Sequence, residues 1–321
     1  MRVSTRRFLV TGGAGFIGSH IVEALLRRGE RVAVLDDFST GRRENLEAAL
    51  RSRTAGAPEP EVIEGDIRDA ETARLAVRGA SHVLHQAALP SVVRSVEDPV
   101  SSHEVNASGT LLLLVAARDA GVKRFVYASS SSIYGDTPEL PKVETMTPAP
   151  LSPYAVSKLS GEHYCKIAHA LYGLETIALR YFNIFGPRQD PTSQYAAVVP
   201  NFVTAVVSGR APIVYGDGLQ SRDFAYIDNA VQANLKACEA PPSAAGRAYN
   251  IACGTASTLL DLLRILEKVT GSTVRPAHDR PRPGDVRHSL AAIDQARRIL
   301  GYEPTVDLEE GMRRTVDAFR V

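Results

Sequence analysis

The chain has 321 residues, 44% of them hydrophobic, enough to bury one large core or two smaller ones. Lys plus Arg number 37 against 36 Asp plus Glu, a net charge of +1, so the basic footprint of a nucleic-acid binder is missing. Cys165, Cys238 and Cys253 show no metal-ligand spacing and cannot build a disulfide framework, and each reads as a small buried hydrophobe. The N-terminal MRVSTRRFLVTGG is too poor in apolar residues for a signal peptide, and no stretch reaches membrane-spanning length. The expectation is a soluble cytoplasmic protein without a metal.

Taken in chain order, RRFLVT reads as a strand and FIGSHIVEALLRRG as a helix ending at Gly29. RVAVLD, EVIEGD, SHVLHQ, RFVYAS and ETIALRY continue the strands, with helices expected at 42–52, 70–78, 98–120 and 153–172. The alternation, with near-continuously apolar strands, predicts an α/β fold: a Rossmann-type doubly wound parallel sheet covered on both faces. Beyond residue 183 the rhythm breaks at Pro187, Pro191, Pro200, Pro212 and the GDG at 216–218. This predicts a dinucleotide-binding domain over 1–182 and a smaller α/β substrate domain over 183–321, with some exchange of chain between them. The stretches 53–61 and 240–246 read as surface loops.

Residues 12–18 read GGAGFIG between a strand and a helix, with Gly12, Gly15 and Gly18 at the spacing of a pyrophosphate turn. Glycine there allows the tight turn and the close approach of backbone to phosphate, and the first N–H groups of the helix receive the charge. Asp36 ends the second strand 18 residues after Gly18, the place for a carboxylate on the adenosine ribose. It would repel a 2′-phosphate: two charges about 4 Å apart at an effective dielectric of about 20 interact by about 4 kcal/mol. NAD is therefore expected over NADP. Asp66 holds a similar place at the end of the third strand, suited to the adenine.

SPYAVSK at 152–158 puts Ser152 at an N-cap, Pro153 at the first helical position, and Tyr154 and Lys158 one above the other at i and i+4. Removing hydride from a carbinol needs a base for the hydroxyl proton, and a phenol with a pKa of about 10 is a poor one. An ammonium one turn away, the positive nicotinamide and the helix start all act to lower it. The serines of YASSSSIYGD (127–136), at the carboxyl end of the fifth strand, can hold the substrate hydroxyl.

Together these residues resemble the extended short-chain dehydrogenases/reductases, and more narrowly the nucleotide-sugar 4-epimerases. The resemblance runs from FLVTGGAGFIGSH through LDDFSTG, HQAAL, SSSSIYGD, SPYAVSK and LRYFNIFGPRQDP to YGDGLQSRDFAYIDN and RPGDVRHSL. It implies Ser130, Tyr154 and Lys158 as the catalytic trio. It implies NAD contacts from Gly12, Gly15, Phe16, Ile17, Gly18, Asp36, Asp37, Ser39, Thr40, Gly41, Asp66 and Ile67. Gln86, Ala87, Ala88, Asn106 and Tyr181 join them, with Tyr154 and Lys158. For the UDP-sugar it implies Ser130, Ser131, Asn183, Val198, Tyr215, Arg222, Arg282, Asp285 and Ser289. Arginines there supply charge for a diphosphate.

The resemblance implies the reaction as well: Tyr154 takes the 4-hydroxyl proton, hydride leaves C4, the 4-keto sugar turns over, and hydride returns to its other face. Sugar 4,6-dehydratases carry Thr-Asp-Glu where this chain has Ser130, Ser131 and Ser132, and uronate decarboxylases carry a glutamate at Ser132, so both are disfavoured. Ala197 stands where some UDP-glucose epimerases place asparagine, and Ser289 is small where a bulky residue would exclude an acetamido group. UDP-GlcNAc and UDP-GalNAc are thus the expected pair, with UDP-glucose and UDP-galactose also admitted. The alternatives are an epimerase of UDP-glucose alone or of UDP-glucuronate, a net nucleotide-sugar oxidoreductase, or a non-catalytic NAD-binding regulator. A homodimer through 98–120 and 153–172 is implied.

Overall fold

The computed structural model describes residues 6–191, 197–280 and 286–320. Six strands, β1 Arg7–Thr11, β2 Arg31–Asp36, β3 Glu61–Glu64, β4 His82–His85, β5 Arg124–Ser130 and β6 Glu175–Tyr181, form a parallel sheet with a seventh, Arg247–Ile251. The order is β3-β2-β1-β4-β5-β6 and then Arg247–Ile251. Side chains alternate between two buried layers. Phe8, Val10, Val32, Val34 and Val126 enter one, while Leu9, Ala33, Leu35, Phe125 and Tyr127 enter the other. Burial on both faces is why these strands read as unbroken apolar runs.

The order reverses between β1 and β4, where the carboxyl ends of the strands part. Gly12, Asp36, Gln86, Ser130 and Tyr181 all stand at those ends or one residue beyond. Helix α1, Phe16–Arg27, begins directly after the glycine-rich turn. The long helix Pro153–Tyr172 starts at the same edge: Ser152 Oγ accepts the Ala155 N–H at 3.2 Å, Pro153 takes the first position, and Gly173 ends it with φ +70°.

The helix expected over 98–120 is broken. Val92–Glu97 and Pro99–His103 are separate short helices, Glu104–Gly109 is a π-turn, and the α-helix proper is Thr110–Asp119. The wide turn accommodates Asn106, whose buried side chain accepts the Leu89 N–H at 2.8 Å and donates to Leu89 O at 3.2 Å and Ser157 Oγ at 3.2 Å. A side chain bonded inward to its neighbours offsets the lost helical regularity.

Past residue 183 the helices Val198–Val207, Leu259–Thr270 and Leu308–Phe319 pack together, yet Phe202, Leu262, Leu266, Met312 and Val316 belong to the same apolar layer as Val10 and Val34. The chain also returns to the sheet. Helix Ile227–Glu239 lies against α1, β5 and β6, and Arg247–Ile251 pairs with β6. The two halves are therefore joined through one continuous core.

Gly161, in the middle of the long helix, is forced by packing. A Cβ there would lie 2.2 Å from Tyr127 Oη and 2.4 Å from its Cζ. Alanine normally gains about 1 kcal/mol over glycine in a helix. Here Gly161→Ala should instead destabilise by about 1–3 kcal/mol, seen as a lower urea midpoint at unchanged m-value.

Candidate active site

One cavity of about 1220 Å³ runs along the sheet edge, from Asp36 and Asp66 at one end to Arg222, His288 and Ser289 at the other. That exceeds the volume of about 300–1,000 Å³ common for one small ligand, so two can lie end to end.

At the first end Gly12 has φ +68°, and a Cβ on it would stand 2.7 Å from Ala87 N. On Gly18 a Cβ would be 2.0 Å from Gly12 O, which glycine alone avoids. Helix α1 opens on Gly15 with no side-chain cap and no acidic residue in its first turn. Its leading N–H groups are free of a competing carboxylate and face the cavity wall of Gly15, Phe16, Ile17 and Gly18.

Asp36 is buried. Its Oδ2 accepts the Ala14 N–H at 2.8 Å and its Oδ1 the Phe38 N–H at 2.9 Å. Burial raises its pKa and the two backbone bonds oppose the rise. Each oxygen retains a lone pair for a ribose hydroxyl. Asp37, Ser39, Thr40 and Gly41 complete this wall with Asp66 and Ile67. The Arg68 guanidinium bonds Asp66 at 2.6 Å and holds its carboxyl below the usual range. Arg42, the nearby cation that could greet a 2′-phosphate, is paired with Asp190 at 2.6 Å. These groups fit a dinucleotide with an unphosphorylated ribose.

In the middle, Gln86, Ala87, Ala88 and Tyr181 line the floor. Gln86 Nε2 donates to Asn234 Oδ1 at 3.1 Å, Asn234 Nδ2 to Tyr181 Oη at 2.7 Å, and Tyr181 Oη to Gln86 Oε1 at 3.2 Å. This closed ring orients the Gln86 amide. Asn234 is a contributor that the sequence did not signal, because it sits 148 residues from its partner.

Tyr154, Lys158 and Ser130 meet on the same wall. The Ser130 hydroxyl acts to lower the Tyr154 phenol pKa, while burial raises it more. Lys158 Nζ donates to Ala128 O at 3.0 Å and stands 5.9 Å from the Tyr154 ring and 5.3 Å from that of Tyr127. Burial brings the lysine down to about 7. The protein alone therefore does not produce the lowered phenol expected from the Tyr–Lys spacing. Both groups have left water, and desolvation disfavours the charged form of each.

At the far end Ser131, Asn183, Arg222 and Ser289 line the cavity. Asn183 Nδ2 donates to Asp223 O at 3.4 Å, Arg222 Nη1 to Ser221 O at 2.9 Å, and the Ser289 N–H to Ser221 O at 3.0 Å. Ser132 lines it too, and its hydroxyl is buried without a partner among the described residues. Three expected contacts lie elsewhere. Asn106 is turned inward as described, Val198 packs against the core at a helix start, and Tyr215 ends a short strand paired with Ala277–Asp279. None of the three is on the cavity wall. Arg282 and Asp285 lie outside the described residues. The structure adds Arg94, Lys142, Arg188 and His288 to the wall. Arg188 has φ +65° and pairs with Glu23 of α1, a contact only the fold brings about.

The family model described as the NAD dependent epimerase/dehydratase family matches residues 8–252. The chain belongs to this family. Its cofactor is NAD, and its reaction class is isomerisation. A UDP-glucose 4-epimerase of Mycolicibacterium smegmatis is 40% identical over 316 residues, covering 98% of each chain. The solved UDP-N-acetylglucosamine 4-epimerase of Methanobrevibacter ruminantium is 39% identical, with TM-score 0.91 and 98% of each chain covered. A UDP-glucose 4-epimerase of Thermus thermophilus, solved in complex with NAD, is 42% identical with TM-score 0.85, covering 98% of this chain and 99% of that one. No helix among the described residues is long and apolar enough to cross a membrane.

Gly12→Ala should leave the fold intact and drive NAD from the protein, because the added methyl needs strain at φ +68° and overlap with Ala87. Absorbance of nucleotide released from the purified variant, per mole of chain, should fall at least tenfold.

Proposed function

We propose that the protein is a UDP-hexose 4-epimerase. One arrangement carries the reading: Ser130, Tyr154 and Lys158 together on one wall, midway along a cavity that has a dinucleotide turn at one end and Arg222 at the other. NAD supplies a reversible hydride acceptor at the sugar's C4 and, when oxidised, a positive charge beside the phenol. Ser130 holds the 4-hydroxyl, and Tyr154 accepts its proton and later returns it. Lys158, already near neutrality by burial, is fastened to Ala128 O and orients rather than ionises the pair in the resting protein. Asn183 and Arg222 grip the UDP portion, and Arg282 and Asp285 are assigned to it as well. The sugar must be held loosely, since a 4-keto ring gripped on every side could not present both faces.

The small Ser289 and the unpartnered Ser132 hydroxyl at the sugar end support UDP-GlcNAc and UDP-GalNAc as substrates, with the plain hexoses also turned over. We also propose a cytoplasmic homodimer. The helices Thr110–Asp119 and Pro153–Tyr172 lie side by side and leave Leu111, Val115, Val156, Tyr164, Ile167 and Leu171 exposed. Such a continuous apolar stripe suits a second copy.

Pure protein incubated with a panel of UDP-sugars, without added cofactor, should yield the C4 epimers. Activity that instead consumes NADH in proportion to product refutes an epimerase. Tyr154→Phe should cut kcat by about 10²–10⁴-fold with bound NAD retained, because only the proton acceptor is lost. Ser289→Tyr should suppress the N-acetylated pair by one to two decades in kcat/KM, about 1–3 kcal/mol of overlap, and spare the plain hexoses. An equal loss on both pairs places the gate elsewhere.

A further inference from the structure

We infer that Glu162, which no step above uses, is a positioning residue that with Ser129 and Arg180 fixes the spacing of the elements bearing Ser130, Tyr154 and Tyr181. The inference rests on the epimerase reading. Glu162 is buried on the long helix one turn past Lys158. Arg180 Nε donates to its Oε1 at 2.9 Å and Arg180 Nη2 to its Oε2 at 2.8 Å, a bidentate pair. Ser129 Oγ donates to Oε1 as well. Ser129 and Arg180 face one another in the β5–β6 ladder, and the next register pair is Ser130 with Tyr181. Ser129 is itself on the cavity wall, while Glu162 and Arg180 lie one helical turn from Lys158 and one residue from Tyr181.

The clamp continues. Arg180 Nη1 donates to Tyr134 Oη at 2.7 Å, Tyr134 Oη to Asn250 Oδ1 at 2.7 Å, and Asn250 Nδ2 to Ala292 O at 3.1 Å, three residues beyond Ser289. A buried ion pair adds little stability over an apolar pair of equal volume, so stability alone is a weak reason for placing one here. Its geometric effect is direct. Ser130 on β5 and Tyr154 on the long helix share the cavity wall, and the separation of those two elements is set where Glu162 meets Ser129.

The charged and titratable groups around this assembly are Tyr134 and Glu144 on the side of Arg180, and Tyr127, Cys165, Lys158 and His85 on the other. Ser129→Ala changes none of their charges. In that variant, at parental melting temperature, kcat should fall threefold or more while KM for the UDP-sugar stays within twofold. The double variant Glu162→Leu/Arg180→Met, which removes the pair without leaving a lone buried charge, should lose at least tenfold in kcat with the same KM. Parental kcat in a folded form of either variant overturns the inference. Ser129→Ala alone decides it if the double variant does not fold. A second readout needs no turnover. In the NAD-loaded protein carrying 3-fluorotyrosine at position 154, Ser129→Ala should shift the ¹⁹F titration of that phenol to higher pH. The hold of the Ser130 hydroxyl on the phenolate would be loosened, and an unchanged titration counts against the clamp. A parent chain that epimerises no UDP-sugar refutes the functional reading alone, and the ¹⁹F titration then still judges the clamp.

Discussion

Desolvation of two groups on one helical turn governs this site. Tyr154 and Lys158 are both withdrawn from water, which pushes the phenol up and the ammonium down to about 7. Burial thus disfavours the charged form of each group. The Ser130 hydroxyl already opposes the rise at Tyr154. A positive nicotinamide held at this wall would act on the phenol in the same direction as Ser130.

The rest of the fold serves that seam. The reversal of strand order between β1 and β4 opens the crevice, and the carboxyl ends of five strands deliver side chains to it. Three polar assemblies then remove slack: the Gln86–Asn234–Tyr181 ring, the Ser129–Glu162–Arg180 clamp, and the Asn106 side chain that pins Leu89. All are reciprocally bonded, the condition under which polar groups specify geometry.

Much of this was legible from local pattern. The glycine spacing, Asp36 at a strand end, and Ser-Pro-Tyr before Lys158 each depend on neighbours within one turn or one strand. Such signals survive in one dimension. Asn106 shows the limit of such signals: a polar residue in an apolar helix announces a role, but not which way it points, and here it bonds inward to Leu89 and Ser157. The π-turn within 98–120 carries that residue. In the second half no period fixes the register, so a residue beside the cavity and one behind it read alike.

By itself the sequence determined the alternation of strands and helices, the dinucleotide turn, the preference for an unphosphorylated ribose, and the placing of Tyr154 and Lys158 on one helical face, whereas Ser130 followed only from the family resemblance. Each is a short-range pattern imposed by helical or strand geometry. Only the tertiary structure decided that Arg42 is neutralised by Asp190, that Asn234 orients Gln86, and that Glu162 meets both Ser129 and Arg180. It also decided how far the phenol and lysine depart from their ordinary ionisation. These are contacts between distant segments, and burial is a property of everything packed around a group rather than of the residues beside it in the chain.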